Sequence, residues 1–414
     1  MKMYKKTIAV FIVLCFLFLA GYCVFANYFF YSILVKSFFG NSFSQYFLSQ
    51  YYLERNEREK AHYWLNIASE NGNLNAVLEY SWVLIEQKNI KGFEMLRGLA
   101  LKGNAEICNE LSLNYSFTSD SLRHFIKKRD SAESLKWLDL ALEHSIKQNK
   151  YNDTLFYLVR FGEIYFYGGS YYHYPEIKLN HKKALEYFEK AEKLIASYRD
   201  NIQNMLPVYY YLGMIYLYGK SDVSKDLQKS SQYFLKESNK TIVANELVKV
   251  FFNGTGVEKN LKKALSVEKS SILPDDNENN EDSIFNFPSL KNYEMYKCYY
   301  AKSFYNNQTE ILIRKENDNI VLKTKIYSSK KIDSRKEKIS NFKWEGFQKI
   351  VVESNFFELF SNVNYLGSDG HYYIAVGIQK GRLQIINRWV DSKDVDPVCS
   401  YLFNLAGLKL NKNE

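Results

Sequence analysis

Apolar positions along most of this chain recur every three or four residues, the spacing that gathers side chains onto one side of an α-helix. The recurrence itself repeats. Phe161-Gly162-Glu163-Ile164-Tyr165-Phe166-Tyr167-Gly168 aligns with Leu212-Gly213-Met214-Ile215-Tyr216-Leu217-Tyr218-Gly219 and, more loosely, with Leu247-Val248-Lys249-Val250-Phe251-Phe252-Asn253-Gly254. Each block ends in glycine, as a helix stop requires. After each glycine comes a second block that combines Ala or Ser with an aromatic or aliphatic residue: Lys182 to Ala191, Leu227 to Phe234, and Lys262 to Leu265. Earlier copies run from Lys60 to Ala68 and from Glu133 to Ala141. The predicted unit is helix, glycine-containing loop, helix. Gly219 and Gly254 lie about 35 residues apart, a period typical of stacked helical hairpins.

Packing explains the pattern. A small Ala or Ser lets neighbouring helices approach, while the aromatic three or four residues on points the same way and fills the space between hairpins. Gly162 and Gly213 fall inside predicted helices, where glycine costs about 1 kcal/mol relative to alanine, so close helix contact is the expected compensation. These residues resemble the SEL-like repeats, relatives of the tetratricopeptide repeats. Leu212, Gly213, Tyr216, Gly219, Val223 and Asp226 follow that pattern with one extra loop residue, and Gly254, Gly256, Val257, Lys263 and Ala264 follow it without insertion. The resemblance covers residues 57–272. It implies a mainly α fold, a right-handed helical-hairpin solenoid, with a concave face for a protein partner. After Gly168 the loop swells, which makes Tyr171, Tyr172, His173 and Tyr174 candidate partner-binding residues, against the plainer reading of a tolerated surface loop. Trp64 and Trp137 occupy the aromatic repeat slot and are assigned to the core.

Ahead of the repeats, Lys2, Lys5 and Lys6 precede an uncharged stretch from Thr7 to Val35, nearly all apolar between Ile8 and Phe25. Such a run can span a hydrocarbon core of about 30 Å as one transmembrane helix. Positive charge on its short side keeps the N-terminus cytoplasmic. The expected layout is an N-terminal membrane anchor at 1–27, an aromatic-rich juxtamembrane segment at 28–56, and the bulk of the chain in the periplasm. The competing reading is a signal peptide cleaved near Ala26. A lipoprotein is excluded because Tyr22 separates Leu19-Ala20-Gly21 from Cys23.

Residues 273–300 read as an acidic linker, with Pro274 to Asp282 polar and without period. From about Thr309 the period changes to two, which predicts a small α+β domain over 301–414. Glu310 to Arg314 and Ile320 to Tyr327 read as strands around a turn, and Trp344 to Phe357 as a helix. His371 to Gln379 and Arg382 to Val390 form a hairpin joined at Lys380-Gly381. Pro397 can open a last helix that ends near Gly407. Ser368 to Tyr373, Gly381-Arg382, Asn387-Arg388-Trp389 and Leu405 to Leu408 resemble a domain of bacterial envelope proteins, a likeness that implies a placement and no mechanism.

The chain has 35 Tyr and 29 Phe among 414 residues, so large rigid side chains carry much of the core, and Tyr also favours protein-binding faces. A net charge of +9 is spread among mixed acidic and basic positions, which argues against a nucleic-acid footprint. The densest basic cluster includes Lys323, Lys325, Lys330, Lys331, Arg335, Lys336 and Lys338. Lys330, Lys331, Arg335 and Lys336 are candidates for docking an acidic partner; a solvated strand edge that blocks unwanted pairing is the alternative. Beyond the N-terminal pair, Cys108, Cys298 and Cys399 remain. A Cys298–Cys399 bridge is conceivable, but buried free thiols are the favoured expectation. No metal-ligand spacing, nucleophile motif or phosphate-cradling loop is present, so no catalytic residue, metal or cofactor is assigned. Asp369-Gly370-His371 reads as turn chemistry before a strand. The expectation is a non-enzymatic extracytoplasmic scaffold that binds another protein. Architectures that resemble it include immunity proteins against secreted toxic effectors; an envelope adaptor, or a hydrolase of β-lactams or wall components, are the other classes.

Overall fold

The computed structural model describes residues 30–117, 122–168, 177–198, 206–220, 222–237, 240–268, 293–302, 308–328, 332–359, 371–390 and 397–408. Among them no helix is long and apolar enough to cross a membrane. The expected anchor at 1–27 and most of the expected linker lie outside them. The chain divides into two compact units, Met1–Tyr187 with Lys193–Gln203, and Phe188–Glu192 with Asn204–Glu414.

Among its described residues, the regular elements of the first unit are helices. Helix α1 is described over 30–38. It is followed by α2 (Ser42–Glu54), α3 (Arg58–Glu70), α4 (Leu74–Glu86), α5 (Ile90–Leu101), α6 (Ala105–Phe117), α7 (Ser131–Lys147), α8 (Tyr151–Tyr167) and most of α9 (His181–Ser197). Helices α2 and α3, α4 and α5, and α6 and α7 pair as hairpins. Short polar side chains start many of them: Asn41, Asn73, Asp130 and Asn180 each accept the backbone N–H three residues on. Trp64 and Trp137 are buried. The first hairpin begins at Ser42, inside the stretch read from sequence as juxtamembrane. Helix α2 hides because its pattern is inverted: Ser44, Gln45 and Ser49 are buried while Phe43 and Phe47 are exposed.

The second unit continues with hairpins α10 (Val208–Tyr218) with α11 (Leu227–Lys236), and α12 (Lys240–Asn253) with α13 (Leu261–Glu268). Then comes a six-stranded antiparallel sheet. Its strands are β1 (Tyr293–Lys302), β2 (Gln308–Glu316), β3 (Asn319–Tyr327), β4 (Ile332–Lys338), β5 (His371–Gln379) and β6 (Arg382–Val390), in the order β4-β3-β2-β1-β5-β6. Helices α14 (Asn341–Glu353) and α15 (Pro397–Leu405), with a 3-10 turn at Phe356–Glu358, cover one face. Tyr296, Ile313, Leu322, Phe347, Phe356 and Leu402 form the core there. At the β5–β6 turn Lys380 and Gly381 have φ of 51° and 73°, the paired left-handed residues of a two-residue hairpin.

Two expectations need correction. Cys298 and Cys399 are not free thiols: they form a disulfide that ties β1 to α15, with Cα atoms 5.5 Å apart. Their burial, read as a reason for inert thiols, is instead what brings them together, since both belong to one hydrophobic cluster. Strand β1, next in the sheet to both β2 and β5, starts at Tyr293, within the stretch assigned to the linker. Both of its faces are buried, so Tyr293 to Lys302 lacks the clean polar alternation of a half-solvated strand. Cys108 remains free, and burial pushes its thiol up to about 12.

Candidate functional site

The same junction is built at three successive turns of the repeat. Tyr165, Tyr216 and Phe251 each sit three residues before a glycine with positive φ: Gly168, Gly219 and Gly254. Each aromatic carbonyl accepts the N–H of an Asx residue that starts the next helix, from Asn180 at 2.7 Å, Asp226 at 2.9 Å and Asn260 at 2.9 Å. Each Asx side chain then accepts the N–H of a lysine three residues on. The ammonium of that lysine returns over the aromatic ring, with Lys183 4.2 Å from the centre of Tyr165, Lys229 4.0 Å from Tyr216 and Lys263 5.6 Å from Phe251. At the preceding repeat the Asp130 N–H donates to the Tyr115 carbonyl, but the third position is Glu133, an anion in place of the lysine. Close helix approach completes the design. A Cβ on Gly213 would lie 2.5 Å from the Phe234 ring.

Within the second unit, helix α12 lies along the open edge of the sheet. An edge strand presents unpaired N–H and C=O groups that need cover. Asn253 supplies it: its Nδ2 donates to the Leu383 carbonyl at 2.9 Å and its Oδ1 accepts the Leu383 N–H at 2.8 Å. One turn earlier, Lys249 donates to the Ile385 carbonyl at 3.4 Å and to Glu246 at 2.7 Å. The Lys249 and Glu246 side chains are 8% and 1% exposed, so this ion pair is nearly closed to water. Beside it opens a cavity of about 420 Å³, whose wall includes Lys225, Lys249, Lys380, Arg382, Glu246 and Glu358. Arg382 is held by Glu358 at 2.7 Å and by the Phe357 carbonyl at 2.9 Å. Four cations against two carboxylates give the wall a positive balance, suited to an acidic group of a partner.

This cavity was not among the sites expected from the sequence. Its signal was three polar residues at helical spacing on α12, Glu246, Lys249 and Asn253, among the apolar Leu247, Val248, Val250, Phe251 and Phe252. Of the residues singled out from sequence, Tyr171, Tyr172, His173, Tyr174, Lys330 and Lys331 lie outside the described residues. Arg335 and Lys336 stand on β4, the edge opposite β6, and are exposed. Arg335 lies 3.6 Å from Asp333, and Lys336 is opposite Lys323 in register. That edge and the cavity are separated by the width of the sheet. Among the described residues no group of three or more His, Cys, Asp or Glu could hold a metal ion.

Hairpins closed by glycine, an aromatic and a capped lysine define the class: a helical-repeat solenoid with a C-terminal antiparallel sheet domain. Residues 42–73, 162–194, 207–236 and 249–266 match the Sel1 repeat. Among solved structures, it is similar to a protective antigen of uropathogenic Escherichia coli strains that displays an SLR fold, at 20% identity and a TM-score of 0.40, over 58% of this chain and 48% of that one. The similarity thus spans about half of that protein's length. A Sel1 repeat protein from Oxalobacter formigenes matches at 14% identity and a TM-score of 0.35, over 56% of this chain and 86% of that one. One from Klebsiella pneumoniae matches at 18% identity and a TM-score of 0.24, over 50% and 89%. No curated protein matches the chain. Sel1-repeat proteins mediate protein–protein interaction.

Proposed function

We propose that this chain is an extracytoplasmic scaffold, tethered to the cytoplasmic membrane by its N-terminal segment, that binds a partner protein through its repeats. The observation that carries the reading is the recurrence of Sel1-matched hairpins each locked by the same junction, because a locked hairpin holds its outer side chains in place for a partner. The Cys298–Cys399 disulfide supports placement outside the reducing cytoplasm. The partner proposed is a secreted toxic effector, which an immunity protein of this architecture would neutralise in the periplasm, and the positive cavity wall beside Lys249 favours an acidic contact on it. The test is a pull-down of the intact chain from detergent-solubilised membranes, followed by co-expression with the captured protein. Capture of a protein whose toxicity the chain suppresses is expected. Recovery of wall-synthesis machinery instead would make it an envelope adaptor, and turnover of a β-lactam or wall fragment would overturn the scaffold reading.

A further inference from the structure

Around the first hairpin polar side chains are buried beside the apolar core of Ile33, Leu48 and Trp64, while several large apolar side chains face outward. On α1 and α2, Ser37 and Gln45 are 1% and 2% exposed, and hydrogen bonds satisfy them inside: Ser37 Oγ donates to the Ile33 carbonyl at 2.7 Å and Gln45 Nε2 to the Ser37 carbonyl at 2.8 Å. Tyr31, Val35 and Phe38, at positions i, i+4 and i+7 of α1, face outward with Phe39 and Phe43, and Phe39 is 87% exposed. In water this pattern leaves four aromatic rings and a valine unburied within thirteen residues of chain.

We infer that Tyr31, Val35, Phe38, Phe39 and Phe43 form a lipid-facing patch that seats the first hairpin in the interface of the bilayer. The inference rests on the reading of the preceding segment as a membrane anchor, and it adds the residues by which the folded repeats themselves touch lipid. Three facts favour lipid over a second copy of the chain or another protein. The patch overlaps the end of the uncharged stretch from Thr7 to Val35, through Tyr31 and Val35, and runs on past it to Phe43, so wherever that stretch lies in a membrane the patch lies at its boundary. Lys36, the first charged residue after Lys6, is exposed beside it and has the long stem that lets an ammonium reach phosphate while its neighbours stay among acyl chains. The patch is made of rings and one valine, the composition of an interfacial belt.

The test uses the full chain in phosphatidylethanolamine–phosphatidylglycerol vesicles, with Cys15, Cys23 and Cys108 replaced by alanine. An environment-sensitive fluorophore is placed singly through Phe39→Cys, Phe43→Cys or, as a control at an exposed position of α7, Ile146→Cys. The chain should float with the vesicles. Probes at 39 and 43 should shift to the blue and lose more than half their emission to shallow nitroxide lipids, whereas the probe at 146 should do neither. Flotation with watery emission at 39 and 43 would overturn the patch and leave the anchor standing. A blue shift without lipid quenching would assign the patch to a protein contact and overturn it. Failure to float would overturn the anchor and the patch together.

Discussion

The ammonium of Lys229 lies 4.0 Å from the centre of the Tyr216 ring and donates a 2.6 Å hydrogen bond to the hydroxyl of the same ring. One lysine therefore satisfies the polar tip of a buried tyrosine and uses the ring face at the same time. Because Asp226 caps the helix at the Lys229 N–H and itself donates to the Tyr216 carbonyl, three residues close a loop between the two helices of the hairpin.

Tyr216→Ala should lower stability by about 2–4 kcal/mol through the cavity it leaves. Tyr216→Phe keeps the ring and should cost about 0.5–1.5 kcal/mol, the worth of one hydrogen bond. Lys229→Met should fall near the Phe variant. Denaturant midpoints measure all three, and equal loss for Ala and Phe would show that the ring contributes nothing.

Gly213 is a packing residue. A methyl there would meet the Phe234 ring at 2.5 Å, so Gly213→Ala should destabilise by about 1–3 kcal/mol despite its better helix propensity. Pairing it with Phe234→Leu should recover part of the loss. Melting of the two single variants and the double reads the coupling directly.

The residues of this hairpin show what was legible in the sequence. Gly213, Tyr216 and Asp226 carry the repeat because each meets a local need, a close approach, a buried ring or a cap, that only a few residue types fill. The β5–β6 hairpin was legible for the same reason, through Lys380-Gly381. Strand β1 was not, because burial on both faces erases alternation, and α2 was not, because its phenyl groups face out. The Lys249–Asn253 cover of the sheet edge depends on where α12 lies against β6, which no local pattern records.

Loss of the disulfide should weaken the C-terminal domain. The bridge closes a loop of 101 residues between β1 and α15, and removing such a bridge costs about 2–5 kcal/mol. Cys298→Ala with Cys399→Ala should lower the melting temperature, and a reductant should lower that of the native chain but not of the double variant.

Alkaline pH should destabilise the repeats. Burial, helped by nearby acidic side chains, raises the Tyr157 phenol to about 12, and burial with the neighbouring Tyr165 does the same for Tyr187. Their ordinary value is 10.0, so the unfolded chain releases these protons first. The stability they contribute is fully present below pH 10 and is lost as pH rises towards 12. Phenolate absorbance should therefore appear in two stages, the second coinciding with loss of helical dichroism. A single titration centred near pH 10 with helices intact would contradict the burial of these rings.

The buried pair Glu246–Lys249 offers the sharpest test of how the last hairpin grips the sheet. Removing one partner leaves the other charge in a nearly dry site, so Glu246→Leu alone should cost about 3–5 kcal/mol. Replacing both, as Glu246→Leu with Lys249→Met, removes the charge problem and should restore most of that stability, since apolar pairs of similar volume often equal a buried ion pair. The double variant also loses the contact from Lys249 to the Ile385 carbonyl, while Asn253 still pairs with Leu383 at both N–H and C=O. Adding Asn253→Ala to the double variant should then expose the β6 edge, seen as faster amide exchange at Leu383 and Ile385 with β1 to β3 unchanged. If the single Glu246→Leu variant melts like the native chain, the ion pair is open to water and the grip lies elsewhere.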